Sequence, residues 1–261
     1  MSMSANSAPA ALTTDFALAL DRCRFARTVG IEPDHRQAEL LNSTALRILM
    51  LCSRQWGKST IAAVMATHEL IYFPGSTVIA VSPSLSQSQE LFKKVAAFWK
   101  KVPGAPEAVQ ESLTRMELAN GSRLIALPGT EKTIRGLSAV SLILVDEAAA
   151  VEDSLMAAVR PMMATRPDAR FIAMTTPRGR RGWLYEAWEH GEGWERISVT
   201  ADQCARISPA FLEEERRAHG PLIFSQEYEC AFIESGDSAF NSMLIQQAMT
   251  LDFEPFFPRG V

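Results

Sequence analysis

Short aliphatic and β-branched runs alternate along the chain with longer stretches of helical periodicity. The runs fall at residues 46–51, 77–81, 123–127, 141–145 and 171–174, with a weaker one at 197–200. Most are almost continuously apolar, the pattern of strands in a parallel sheet covered on both faces. Between them, residues 58–71, 84–101 and 154–163 suit helices. This alternation predicts an α/β doubly wound domain. Beyond about Ala201 the pattern changes. Ser208-Pro209 opens a helix through PAFLEEERRAHG, Gly220 is its stop, and Pro221 opens the next. A small helical lid is predicted there. From Glu234 onward the chain reads as a linker carrying one short helix.

Length and composition narrow the options. A chain of 261 residues is enough for one large domain, or for one domain with a small lid. Even the apolar stretch 61–73 carries His68 and Glu69, so no bilayer span and no membrane partner are expected. The opening MSMSANSAPAALTT has no basic residue ahead of an apolar stretch; it reads as a floppy tail and not as a secretion signal. Cys23, Cys52, Cys204 and Cys230 are far apart with no CxxC pair, which argues against a zinc site or disulfide framework and for a reducing cytoplasm. The net charge is -4. A protein that grips DNA through one broad basic face is usually basic, so contact with DNA would need a local patch or several subunits.

The strongest motif is Cys52-Ser53-Arg54-Gln55-Trp56-Gly57-Lys58-Ser59-Thr60, between a predicted strand and a predicted helix. That is the context of a phosphate-binding loop, whose backbone N–H groups and helix N-terminus face a phosphate. Lys58 would neutralise the β- and γ-phosphates of ATP, and the Ser59 hydroxyl would ligate Mg²⁺. The first glycine of the GxxxxGK[ST] pattern is replaced by Cys52. A bare GKS between a strand and a helix also arises by chance; the second motif decides against chance. The run Leu142-Ile143-Leu144-Val145 ends in Asp146-Glu147. Ligands of open α/β sheets bind outside the carboxyl ends of the strands. Asp146 would hold Mg²⁺ there, directly or through water, and Glu147 would orient and polarise the attacking water.

Together these residues resemble the large terminase subunit family of viral DNA-packaging motors. Arg54-Gln55-Trp56-Gly57-Lys58-Ser59 is similar to the family's deviant Walker A, and Asp146-Glu147-Ala148-Ala149 to its Walker B. Thr175-Thr176-Pro177, followed by Arg178-Gly179, resembles its coupling motif. Ser82-Pro83-Ser84 is similar to the helicase-like motif after the phosphate-loop helix. His35-Arg36-Gln37 resembles the adenine-contacting Q motif, with Gln37 as the amide. The resemblance covers residues 31 to 240 or so. It implies an α/β, RecA-like (ASCE) ATPase core with ATP and Mg²⁺ as cofactors. It also implies double-stranded DNA, a portal protein and a small terminase subunit as partners, with assembly as a homo-oligomeric ring, a pentamer, in the host cytoplasm. On this reading residues 1–30 are an arm, 31–200 the ATPase core, 201–236 the lid and 237–261 a linker and tail. The family continues into a nuclease domain; Asp237 and Asp252 lie in the linker, so no nuclease activity is expected. An excised ATPase domain and a short natural gene product both fit.

The arginines carry two readings each. Arg54 either contacts the γ-phosphate in its own subunit or forms a salt bridge with a neighbouring acid. Arg135, in Thr133-Ile134-Arg135-Gly136, stands where the family supplies an arginine to the neighbouring subunit, or is a solvated loop residue. Arg178, Arg180 and Arg181 are solvated or face DNA. Trp183, Tyr185 and Trp188 read as packing residues on a helix. Trp56 touches nucleotide or shields the loop. Lys93, Lys94, Lys100 and Lys101 read as a solvated helix face. Two other functions compete: a helicase-like DNA-dependent ATPase with a single RecA core, and a non-catalytic remnant that acts as an assembly module. DEAA in place of DEAD or DEAH argues against the first, and intact Lys58, Ser59, Asp146 and Glu147 against the second.

Overall fold

The computed structural model describes residues 7–128, 137 and 139–233. The strands are β1 (Arg47–Cys52), β2 (Thr77–Ser82), β3 (Ala108–Glu111), β4 (Arg115–Leu118), β5 (Arg123–Pro128), β6 (Leu142–Asp146), β7 (Arg170–Thr175) and β8 (Glu195–Val199). They form one sheet in the order β3-β4-β5-β2-β6-β7-β1-β8. From β5 to β8 every pairing is parallel. The helices are α1 (Ser7–Leu20), α2 (Arg22–Thr28), α3 (His35–Asn42), α4 (Lys58–Tyr72), α5 (Leu85–Trp99), α6 (Asp153–Val159), α7 (Gly182–Glu189) and α8 (Pro209–Tyr228). No helix among the described residues is long and apolar enough to cross a membrane.

Alternation along the strands builds two cores. Ile48, Met50 and Cys52 of β1, Val78 and Ala80 of β2, and Leu142 and Leu144 of β6 face one side, where α2 to α5 cover them. Leu49, Leu51, Ile79, Val81, Ile143 and Val145 face the other, beneath Met156 of α6 and Leu184 of α7. Burial on both faces explains why these strands read as unbroken apolar runs.

Two expectations are corrected and one element is added. The opening residues are not all a floppy tail: from Ser7 they form α1, followed by α2. What holds α1 is tertiary. His68 Nε2 lies 3.2 Å from the Leu18 carbonyl and 3.0 Å from that of Ala19. Carbonyls only accept, so Nε2 carries the proton. The imidazole is fully buried against Phe25, and burial pulls its pKa down to about 4. Second, an antiparallel hairpin, β3–β4, extends the sheet edge beyond β5. Third, the helix expected over 154–163 is α6 followed by a 3₁₀ turn at Arg160–Met163, because Pro161 cannot continue the α-helical bonding. In α8 the expected break is present: Gly220 sits at φ 72, ψ 169 inside the helical stretch. The segment from Glu234 onward, with Asp237 and Asp252, lies outside the described residues.

Candidate functional site

Strands β1, β2, β6 and β7 deliver their carboxyl ends to one edge of the sheet, and the motif residues gather there. After Cys52 the chain turns through Gln55 (φ 65) and Gly57 (φ 95) into α4. Cys52 is not among the left-handed residues and its side chain is fully buried in the core under α4, which explains how a cysteine replaces the usual glycine. Gly57 is the position where a side chain would be strained. Its φ is left-handed, and a Cβ would stand 3.3 Å from Gln37 Nε2.

The loop is braced from below. The Trp56 carbonyl accepts from Gln37 Nε2 at 3.0 Å and from the Arg206 guanidinium. Gln37 Oε1 in turn accepts from the Asp34 N–H at 3.1 Å, within a capping box at the start of α3. Both ends of the amide expected to read adenine are therefore engaged with protein backbone. Arg206 also lies 3.6 Å from the Asp34 carboxylate. The Trp56 ring is fully buried, so it shields the loop from beneath and does not face the cavity. Ser53 is buried too, with its N–H donating to the Val199 carbonyl at 2.9 Å.

Ser59 Oγ donates to Asp146 Oδ2 at 2.7 Å, and Lys58 Nζ lies 3.4 Å from Glu147 Oε1. Glu147 is held at φ 50, ψ 44, and its N–H donates to Asp146 Oδ1 at 3.0 Å. A non-glycine residue there costs about 1–2 kcal/mol, and such strain collects at functional sites. The turn sends two adjacent carboxylates in different directions, Asp146 toward Ser59 and Glu147 toward Lys58. The Thr175-Thr176-Pro177 segment connects both motifs. Thr175 Oγ1 accepts from the Ala149 N–H at 3.3 Å, and Thr176 Oγ1 donates to the Cys52 carbonyl at 3.2 Å.

A cavity of about 680 Å³ opens over this arrangement, lined by Arg54, Gln55, Gly57, Lys58, Ser59, Thr60, Glu147, Thr176 and Pro177, with Pro83, Gln87, Lys94, Arg178 and Glu227 around them. Arg54, Lys58, Lys94 and Arg178 outnumber Glu147 and Glu227. The lining is thus positive on a chain whose net charge is -4, which suits a polyanionic ligand. Lys94 is exposed, as a solvated helix face requires, and also borders the cavity. Lys101 is exposed too, and its Nζ donates to the Val29 carbonyl at 2.9 Å. Arg54 forms an ion pair with Glu227 of α8, and its N–H reaches the Glu227 carbonyl at 3.4 Å. Glu227 and Arg206 escaped the sequence reading because neither sits in a motif. Arg135 and residues 133–136 lie outside the described residues. Trp183 packs edge-on to Phe171, and Tyr185 and Trp188 pack against Phe232, the expected packing roles.

Comparison with known proteins agrees with this layout. Residues 49–247 match the family model "Terminase large subunit, T4likevirus-type, N-terminal". The large terminase subunit of Thermus virus P23-45 is 26% identical over 257 residues, covering 84% of this chain and 53% of that protein. That of Escherichia phage T5 is 27% identical over 215 residues, covering 78% and 48%. The chain thus spans about half the length of the curated relatives it matches. The solved large terminase ATPase domain of Thermus phage P74-26 superposes with a TM-score of 0.69 at 24% identity, over 80% of this chain and 98% of that one. It shares the RecA-like fold, a mostly parallel sheet flanked by helices. A family match over most of the chain, with the loop, the acid pair and Thr175-Thr176 assembled on one sheet edge, places this chain in the large terminase subunit family, at its N-terminal part.

Proposed function

We propose that this chain binds and hydrolyses ATP at the cavity over β1 and β6. On this reading it is the motor domain that drives double-stranded DNA into a viral procapsid. The observation that carries the reading is the paired geometry of Ser59 with Asp146 and of Lys58 with Glu147, at the floor of a positively lined cavity.

The roles follow from chemistry. Lys58 neutralises the β- and γ-phosphates, and the N–H groups at the start of α4 face them. The Ser59 hydroxyl and Asp146 carboxylate are hard oxygen donors in hydrogen-bond contact, a set that fits Mg²⁺. When bound, that ion neutralises charge on the phosphate oxygens. Glu147 orients the attacking water and takes its proton on the carboxylate as the water oxygen bonds to the γ-phosphorus and the bond to ADP breaks. Lys58 lies beside Glu147, and phosphates that draw Lys58 away free that carboxylate. Arg54 reaches the γ-phosphate once released from Glu227. The adenine-reading role of Gln37 requires its amide to leave the Trp56 carbonyl, and otherwise Gln37 braces the loop. Thr175 and Thr176 relay between the acid pair and the start of the phosphate loop. Arg135 serves a neighbouring subunit's nucleotide, so the rate per subunit rises with protein concentration. Portal protein, small terminase subunit and a ring of copies are the proposed partners.

The test is ATP hydrolysis by the chain with and without double-stranded DNA and a matching portal. Stimulation by both together is expected. Hydrolysis that ignores portal and responds equally to any single strand would favour the helicase-like alternative, and no hydrolysis under any condition would favour the assembly module.

A further inference from the structure

Ser82 closes β2 beside the site and has none of the roles given above. In the parallel pairing of β2 with β6, Val78 stands opposite Leu142 and Val81 opposite Val145. One step further, Ser82 falls beside Asp146. Alternation puts the two side chains on the same face. Val78, Ala80, Leu142 and Leu144 all pack into the core under α4, and Ser82 and Asp146 continue those two rows. This is the face from which Ser59 Oγ reaches Asp146 Oδ2. Adjacent strands lie about 4.8 Å apart, a gap that one water molecule bridges. Pro83, the next residue, lines the cavity.

Ser82 is fully buried, yet its Oγ has no hydrogen-bond partner. Other buried serines of this sheet and its helices are satisfied: Ser88 donates to the Leu127 carbonyl at 2.6 Å and Ser141 to the Thr77 carbonyl at 3.0 Å. An unpartnered hydroxyl in a dry strand end is destabilising, and an alanine would avoid the cost. By register the hydroxyl belongs to the row that ends beside Asp146, next to the cavity that Pro83 lines.

We propose that Ser82 is a positioning residue for the nucleotide's magnesium, its Oγ holding one of the ion's water ligands beside Asp146. Mg²⁺ dehydrates reluctantly and takes few protein oxygens, so groups that fix its waters orient the whole assembly. A serine hydroxyl accepts a hydrogen bond from such a water. The inference rests on the ATP-binding reading above.

The test uses Mn²⁺ as the probe, titrated by electron paramagnetic resonance into the chain with a non-hydrolysable ATP analogue. Ser82→Ala is expected to weaken Mn²⁺ binding in that complex about ten-fold or more. Ser82→Thr, which keeps the hydroxyl, should stay within about three-fold of wild type. Analogue affinity in EDTA should be unchanged, and metal-free Ser82→Ala should melt no lower than wild type, since it loses only an unpartnered group. Wild-type Mn²⁺ affinity in Ser82→Ala overturns the proposal and leaves the ATP reading intact. So does a metal-free Ser82→Ala that melts well below wild type with no rescue by threonine, because the role is then structural. A wild-type chain that takes up no Mn²⁺ with the analogue defeats the ATP reading itself.

Discussion

Arg54, in the phosphate loop, is ion-paired with Glu227, 173 positions later at the end of α8. The pair ties α8 to the cavity wall and occupies the guanidinium proposed for the γ-phosphate. On the proposed function, ATP and Glu227 would compete for one cation.

That competition has a measurable size. Arg54 is largely exposed, with 66% of its side-chain surface accessible, so the pair is worth no more than about 1 kcal/mol. Glu227→Gln should therefore raise ATP affinity by up to about five-fold, measured by calorimetry at low salt, and the gain should shrink as salt is added. Weaker ATP binding in Glu227→Gln would mean that the lid pairing assists the site.

Gly57→Ala tests the bracing beneath the loop. The new Cβ meets a left-handed backbone and stands 3.3 Å from Gln37 Nε2 and 3.5 Å from an Arg206 nitrogen. The conformation alone costs about 1–2 kcal/mol. Lower thermal stability is expected together with at least about ten-fold weaker ATP binding, as the loop shifts away from its phosphate-facing shape. Unchanged ATP affinity would show that this conformation is not the one that binds nucleotide.

His68 predicts a pH dependence of stability. Burial first, and Arg22 second, pull its pKa down from 6.5 to about 4. Between those values the unfolded chain binds the proton and the folded chain does not. This contribution is intact above about pH 6.5 and is lost as the pH falls toward 4, a change of about 3 kcal/mol. Glu69, whose carboxyl is pushed up by burial, acts in the opposite sense. Denaturation of wild type and His68→Gln across this window isolates the histidine, because glutamine keeps an N–H for the Leu18 and Ala19 carbonyls but does not titrate. The variant should lose the steep acid slope; an unchanged slope would place the titration elsewhere.

The parallel core and the sheet edge that gathers the motifs were legible in the sequence because burial on both faces leaves unbroken apolar runs, and the motifs interrupt those runs with charge. The β3–β4 hairpin was not. Its strands, AVQE and RMEL, are four residues each, partly exposed, and carry no long apolar run. Nor was α1, whose segment has little amphipathic contrast and is held by a histidine fifty residues away. At the site, Lys58, Ser59, Asp146 and Glu147 converge as their spacing suggested. Glu227 and Arg206 reach the loop from the far end of the chain, which no local pattern encodes. Lys93 and Lys94 are both exposed on α5, and sequence spacing alone did not show that Lys94 borders the cavity.

The central claim is that Lys58 binds the phosphates while Glu147 acts only on the water. Calorimetric ATP titration and phosphate release should be measured on wild type, Lys58→Ala and Glu147→Gln. Lys58→Ala loses a charge-assisted contact and should bind ATP about 10- to 100-fold more weakly. Glu147→Gln should bind ATP as well as wild type or better, since Lys58 loses its resting partner, while turnover falls by at least about 100-fold. Glu147→Gln that loses ATP affinity as severely as Lys58→Ala, or that still hydrolyses ATP at the wild-type rate, would contradict the account.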